Sequence, residues 1–233
     1  MTLTLVVLAL LMGAIVWWLL RQTVNVQPWN AQLAVQDAHP AVLARPAAKT
    51  ALWVFLGVAT ALFALFISAY AMRLNYLDWA PLPQPRLLMA NTAVLIVASL
   101  TMEWTVFAAR RGDAERVRKG LLAAGALTIV FLAGQLVVWK QLGDAGYFLA
   151  SSAATAFFYL LTAVHGVHVL GGLVAWTRTV GRVRRGEAAG RVRLSVELCA
   201  IYWHFLLIVW IVLFAVLVSN YLGLSVCTPT QSL

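Results

Sequence analysis

Residues 153–176, "AATAFFYLLTAVHGVHVLGGLVAW", contain no Asp, Glu, Lys or Arg. An α-helix rises about 1.5 Å per residue, so a run of this length covers a hydrocarbon core roughly 30 Å thick. A strand of a membrane barrel would instead show about ten residues of alternating polarity. The segment therefore reads as a membrane-spanning helix. Its two histidines, His165 and His168, need a physical reason to be there, because ionisable side chains are costly at that depth.

The same pattern recurs along the chain. Leu3–Leu20, Ala51–Met72, Leu87–Ala109, Leu121–Trp139 and Leu198–Leu222 are comparable runs, with Ala153–Trp176 the fifth of six. Of the 233 residues, 63% are hydrophobic and only 11% charged, against about a quarter charged in soluble domains. The expected fold class is all-α, a polytopic membrane helix bundle of six transmembrane helices. The first run lacks a basic leader and carries Trp17 and Trp18 where small residues would precede a cleavage site, so it reads as a retained span. This gives an N-terminal transmembrane helix over 1–22, a linker over 23–50 holding Pro28, Pro40 and Pro46, a five-helix core over 51–222 and a tail over 223–233. Cys199 and Cys227 fall at opposite ends of the last span, roughly 40 Å apart, which is beyond disulfide reach.

The net charge of +9 is distributed unevenly. Fourteen of the seventeen Lys and Arg lie in alternate loops: Arg21, Arg45 and Lys49; Arg110, Arg111, Arg116, Arg118 and Lys119; Arg178, Arg182, Arg184, Arg185, Arg191 and Arg193. That is the positive-inside pattern, placing these loops in the cytoplasm and both termini outside. The basic surplus sets topology and attracts anionic head groups. No nucleic-acid partner is expected from arginines dispersed over short membrane loops.

Five ionisable residues fall inside or at the edge of the runs: Glu103, His165, His168, Glu197 and His204. Counting along antiparallel spans puts His168 about 12 Å, His165 about 17 Å and His204 about 10 Å from the cytoplasmic boundary. His168 and His204 are thus expected at similar depth on consecutive helices. Glu103 lies about 10 Å inside its helix end, on one face with Arg110. Glu197 is shallower, with Arg191 and Arg193 as its expected partners. A metal needs three or four ligands, and no Asp, Glu or Cys is clearly level with the histidines. A bis-histidine haem between the last two spans is geometrically open. So is cross-helix hydrogen bonding, worth about 0.6–2 kcal/mol per contact, with Gly166, Gly171 and Gly172 allowing close approach.

Two longer segments carry a family resemblance. In 134–172 stand Gly134, Gln135, Trp139, Ser152, Phe158, Tyr159, Leu161, Thr162, His165, Gly166, His168, Val169 and Gly172. In the last span stand Glu197, Tyr202, Trp203, His204, Phe205 and Trp210. This pattern resembles subunit III of the haem-copper terminal oxidases, over residues 51–222. The resemblance has departures. Val58 and Ala59 occupy the place of the family's buried glutamate, Leu206 and Leu207 that of an aspartate after "YWHF", and Val138 that of an acid before Trp139.

The resemblance implies an accessory subunit with no cofactor of its own in a bacterial cytoplasmic (inner) membrane. Haem and copper would belong to the catalytic subunit I, with subunit II as a further partner and phospholipids held in a cleft. It also implies structural or lipid-contact roles for His165, His168, Glu197, Tyr202, Trp203, His204, Arg110, Arg111, Arg193 and Glu103, and no catalytic residue. The alternatives are an accessory subunit of a nitric oxide reductase system and, from another class, a small b-type haem cytochrome. A transporter is disfavoured, because no internal repeat is visible.

Overall fold

The computed structural model describes residues 40–74 and 86–219, which are helical apart from short turns. The helices are α1 Pro40–Arg73, α2 Arg86–Arg110, α3 Ala114–Asp144, α4 Ala153–Arg184 and α5 Ala189–Ser219. Each contains a stretch long and apolar enough to cross a membrane, five in all among the described residues. They correspond to the second to sixth expected spans. The first, Leu3–Leu20, and the tail after Ser219 lie outside the described residues, as do the exterior positions of both termini.

Two boundaries differ from expectation. Helix α1 starts at Pro40, so residues 40–50 are helical where a connecting segment was expected. Proline suits a first helical turn, where its missing N–H is not needed and its φ is already set. The basic loops are also shorter than the sequence suggests. Arg116, Arg118 and Lys119 sit in the opening turns of α3, and Arg178, Arg182 and Arg184 in the closing turns of α4.

One stop signal accounts for these tight turns. Gly112, Gly146 and Gly186 adopt φ of 75°, 86° and 64°, a left-handed conformation that side chains resist. Each donates its N–H to the carbonyl three residues back, and the next residue closes a longer bond: Asp113 to Ala108, Tyr147 to Leu142, Glu187 to Arg182. These paired bonds satisfy the last carbonyls of α2, α3 and α4 and reverse the chain. Asp113 and Ser152 then cap the following helices by accepting from the N–H of Arg116 and Thr155.

Helix α2 packs against α3 and α5, and α4 packs against the same two, so α2–α5 close into a four-membered ring. Phe63 and Tyr70 of α1 pack on Leu161 of α4 and on Val209 and Leu213 of α5. The polarity is that of a lipid-embedded bundle. Asn91, Thr105, Thr128, Gln135, Thr155, Thr162 and His165 are all at most 5% exposed, whereas Leu65, Leu100, Leu136, Val167 and Ile208 are more than 60% exposed. Water would favour the reverse arrangement.

Close approach of the helices rests on glycines of α3. Gly120 faces Thr105 and Gly134 faces Asn91 on α2, while Gly125 lies under the indole of Trp176 on α4. The Trp176 N–H donates to the Leu121 carbonyl at 2.8 Å. A Gly125→Leu substitution is expected to expel that indole and lower stability by about 1–3 kcal/mol. Gly166→Ala and Gly171→Ala, where an added Cβ meets nothing within 4 Å, should leave stability unchanged or slightly higher. Thermal melting of the purified protein in mild detergent, followed by helical circular dichroism, compares the three variants.

Candidate functional site

Successive residues on a helix point about 100° apart, so three in a row can address three neighbours. Tyr202, Trp203 and His204 of α5 do so. The Tyr202 hydroxyl donates to the His168 carbonyl on α4 at 2.8 Å. The Trp203 indole donates to the Thr128 hydroxyl on α3 at 3.0 Å. His204 Nδ1 meets Ser99 Oγ on α2 at 2.5 Å, and its Nε2 meets Glu103 Oε2 on α2 at 3.0 Å. This tripeptide is the hub of the bundle.

Indole-to-threonine bonding recurs elsewhere. Trp139 of α3 donates to Thr162 of α4 at 3.1 Å, and Trp210 of α5 donates to Thr92 of α2 at 3.0 Å. In each case the threonine's own proton is committed one turn back. Thr128 donates to Ala124, Thr162 to Phe158 and Thr92 to Leu88, at 2.7–2.8 Å. The hydroxyl oxygen is then left as an acceptor, and an indole is a donor only. Sequence reading singled out Trp139, Thr162, Trp203 and Trp210 but missed Thr92, Thr128 and Ser99. The available signal was a lone hydroxyl residue within an otherwise apolar run.

His204 is expected at the depth of His168, but its ring faces α2, where a carboxylate stands beside it although none is expected level with the histidines. Helices α2 and α5 are ring neighbours although three helices apart in the chain, a closure that counting residues along the sequence does not reveal. In a neutral imidazole one nitrogen donates and the other accepts. Both ring nitrogens are satisfied when the Ser99 hydroxyl donates to Nδ1 and Nε2–H donates to Oε2 of the Glu103 carboxylate. Glu197 is bonded by Arg193 at 3.1 Å, as expected, and also by Arg110 of α2 at 3.6 Å; Arg191 instead pairs with Glu187 at 3.8 Å. Arg111 is exposed on the α2–α3 turn. Arg182 also donates to Ser195, tying the end of α4 to the start of α5.

The two histidines of α4 behave differently. His165 is fully buried, and neither ring nitrogen has a hydrogen-bond partner among the described residues. Its ring lies 5.0 Å from Trp210, 5.9 Å from Phe131 and 6.4 Å from Phe63, centroid to centroid. It joins four helices by ring packing, so hydrogen-bonding glue does not describe it. His168 Nδ1–H donates to the Val164 carbonyl one turn back at 2.8 Å, and its ring packs on Phe63 at 5.2 Å. These surroundings do not fit a bis-histidine haem. Aromatic rings enclose His165, and both nitrogens of His204 are engaged on α2. Among the described residues no three His, Cys, Asp or Glu are grouped to hold a metal ion. At the positions where the resemblance would place acids, Ala59 and Val138 are at most 3% exposed, and Leu207 is half-buried. The carboxylate paired at depth stands elsewhere, as Glu103 on α2.

Comparison with known proteins gives consistent matches. The family described as cytochrome c oxidase subunit III matches residues 48–222. The probable cytochrome c oxidase subunit 3 of Mycobacterium tuberculosis is 35% identical over 159 residues, covering 67% of this chain and 77% of the relative. That of Nocardia farcinica is 34% identical over 157 residues, 66% of this chain and 76% of the relative. Cytochrome c oxidase subunit 3 of Thermostichus vulcanus is 33% identical over 128 residues, 54% and 62% of the respective chains.

The hub makes a quantitative prediction. Trp203→Phe and Thr128→Val should each lower stability. Because they remove the same bond, the double variant should lose less than the sum, with a coupling of about 0.6–1.7 kcal/mol. A double-mutant cycle on detergent unfolding midpoints measures it.

Proposed function

This chain belongs to the cytochrome c oxidase subunit III family, and from that premise we propose that it works as a structural subunit which braces the catalytic subunit of a bacterial haem-copper oxidase. In this reading it lies in the cytoplasmic membrane against subunits I and II. Residues 1–22 add a further span, 23–50 include the cytoplasmic connection, 51–222 form the bracing core and 223–233 end outside.

The observation that carries the proposal is the use made of the family's "YWH" tripeptide. All three side chains are engaged in joining α5 to α2, α3 and α4. Residues so engaged act on neighbouring helices. The electron chemistry of such an oxidase is supplied by haem and copper in its catalytic subunit, while this chain contributes shape and rigidity.

Phospholipids are the second ligand class in this proposal. Arg110 and Arg193 meet at Glu197 at the cytoplasmic end, with side chains half exposed at 50% and 53%, and Arg111 is exposed beside them. Guanidinium groups at that level suit lipid phosphate through charge-assisted, forked hydrogen bonds. The apolar exterior of α3 and α4 suits acyl chains.

Purification of the tagged chain in mild detergent tests the assignment. The expected result is a complex containing haem and copper, both of which remain with the large subunit when the subunits are separated. A chain that purifies alone and shows a reduced-minus-oxidised α-band of its own would overturn it.

A further inference from the structure

The Glu103–His204 pair stands on the outside of the bundle. The two side chains are 40% and 41% exposed. One turn along each helix, Phe107 and Ile208 are exposed at 50% and 61%. Seven residues separate Glu103 from Arg110 and His204 from Glu197, so the pair lies about 10 Å deeper than the Arg110–Glu197 bridge. That depth is within the hydrocarbon. Oε2 of Glu103 accepts from His204, while Oε1 has no hydrogen-bond or ion-pair partner among the described residues.

Ionisable groups at such depth face protein or a water-filled cavity and are paired there, because lipid offers no hydrogen bond. Here the pairing is half complete, and the open half faces away from the bundle. The requirement is therefore a donor brought by another protein surface. The chain's own first run is poorly suited to supply it, since Leu3–Leu20 carries donor side chains only towards its two ends, at Thr4, Trp17 and Trp18.

We propose that the α2–α5 seam around Glu103 is the docking face for a transmembrane helix of a neighbouring oxidase subunit, which presents a hydroxyl, amide or cationic donor to Glu103 Oε1. The inference rests on the subunit reading above and adds to it a face, a depth and a chemistry. The Ser99–His204 bond holds the imidazole, the imidazole holds one carboxylate oxygen, and the other oxygen is aimed outward. Phe107 below the pair and Ile208 above it supply flanking apolar contact.

Photo-crosslinking in the purified complex tests this. A benzophenone side chain is introduced in separate variants at Phe107 and Ile208, and for comparison at Val130 of α3 and Leu170 of α4, both 53% exposed. Adducts are identified by mass spectrometry. Phe107 and Ile208 should both crosslink to the same integral subunit, well above the yield from Val130 or Leu170. Glu103→Gln, which keeps an acceptor oxygen, should retain the subunit in the complex. Glu103→Leu should reduce retention roughly tenfold.

Lipid-only adducts at Phe107 and Ile208, adducts to residues 1–22 of this same chain, or stronger crosslinking from α3 and α4 would each overturn the docking face. They would leave the subunit assignment standing. Failure of the chain to co-purify with any oxidase subunit would overturn both.

Discussion

A hydrogen-bond donor inside a bilayer must find its acceptor within protein, because lipid tails provide none. In this bundle one recurring solution pairs an indole donor with a threonine acceptor. Each threonine first directs its own proton to the carbonyl one turn back, which leaves its oxygen aimed at the next helix. The indoles of Trp139, Trp203 and Trp210 each meet such an oxygen. A hydroxyl fixed in this way and a rigid two-ring donor together set both the rotation and the height of one helix against another. Neighbouring helices gain little hydrophobic drive over lipid, so these bonds and the glycine-faced packing of α3 settle the arrangement.

Polar pairing adds a second constraint on one seam. Helices α2 and α5 are antiparallel and cross-linked at two levels seven residues apart. The deeper link has its acid on α2, Glu103 with His204, and the shallower has its acid on α5, Arg110 with Glu197. Sliding one helix along the other separates both pairs, and no shift along the seam restores both contacts. The solvated end pairs, such as Arg118 with Glu115, contribute little by comparison, since exposed ion pairs are worth at most about 1 kcal/mol.

Histidine in a membrane span is often read as a sign of chemistry, and these three show how much surroundings matter. His165 is a flat ring in an aromatic box. The His168 ring packs beside Phe63, and its backbone carbonyl receives Tyr202. His204 is part of a polar chain from Ser99 to Glu103. One residue type therefore does three physical jobs within a few turns, each decided by the helix it faces.

Much of the fold was legible along the chain. Apolar runs located the five described spans, and the clustering of arginines foretold that the α2–α3 and α4–α5 turns share one end, as the Arg110–Glu197 bridge confirms. Helix ends were less legible, because hydropathy falls at the head groups while backbone hydrogen bonding continues to the glycine that stops it, as at Gly112 and Gly186. Depth was legible too, since each residue adds a known rise. Azimuth was not. Counting puts Glu103 and His204 each about 10 Å inside a helix end, yet no carboxylate stood out as level with the histidines, because their contact depends on rotation about each helix axis and on ring closure between α2 and α5. Sequence measures position along the membrane normal. Only tertiary packing decides who stands beside whom within the membrane plane.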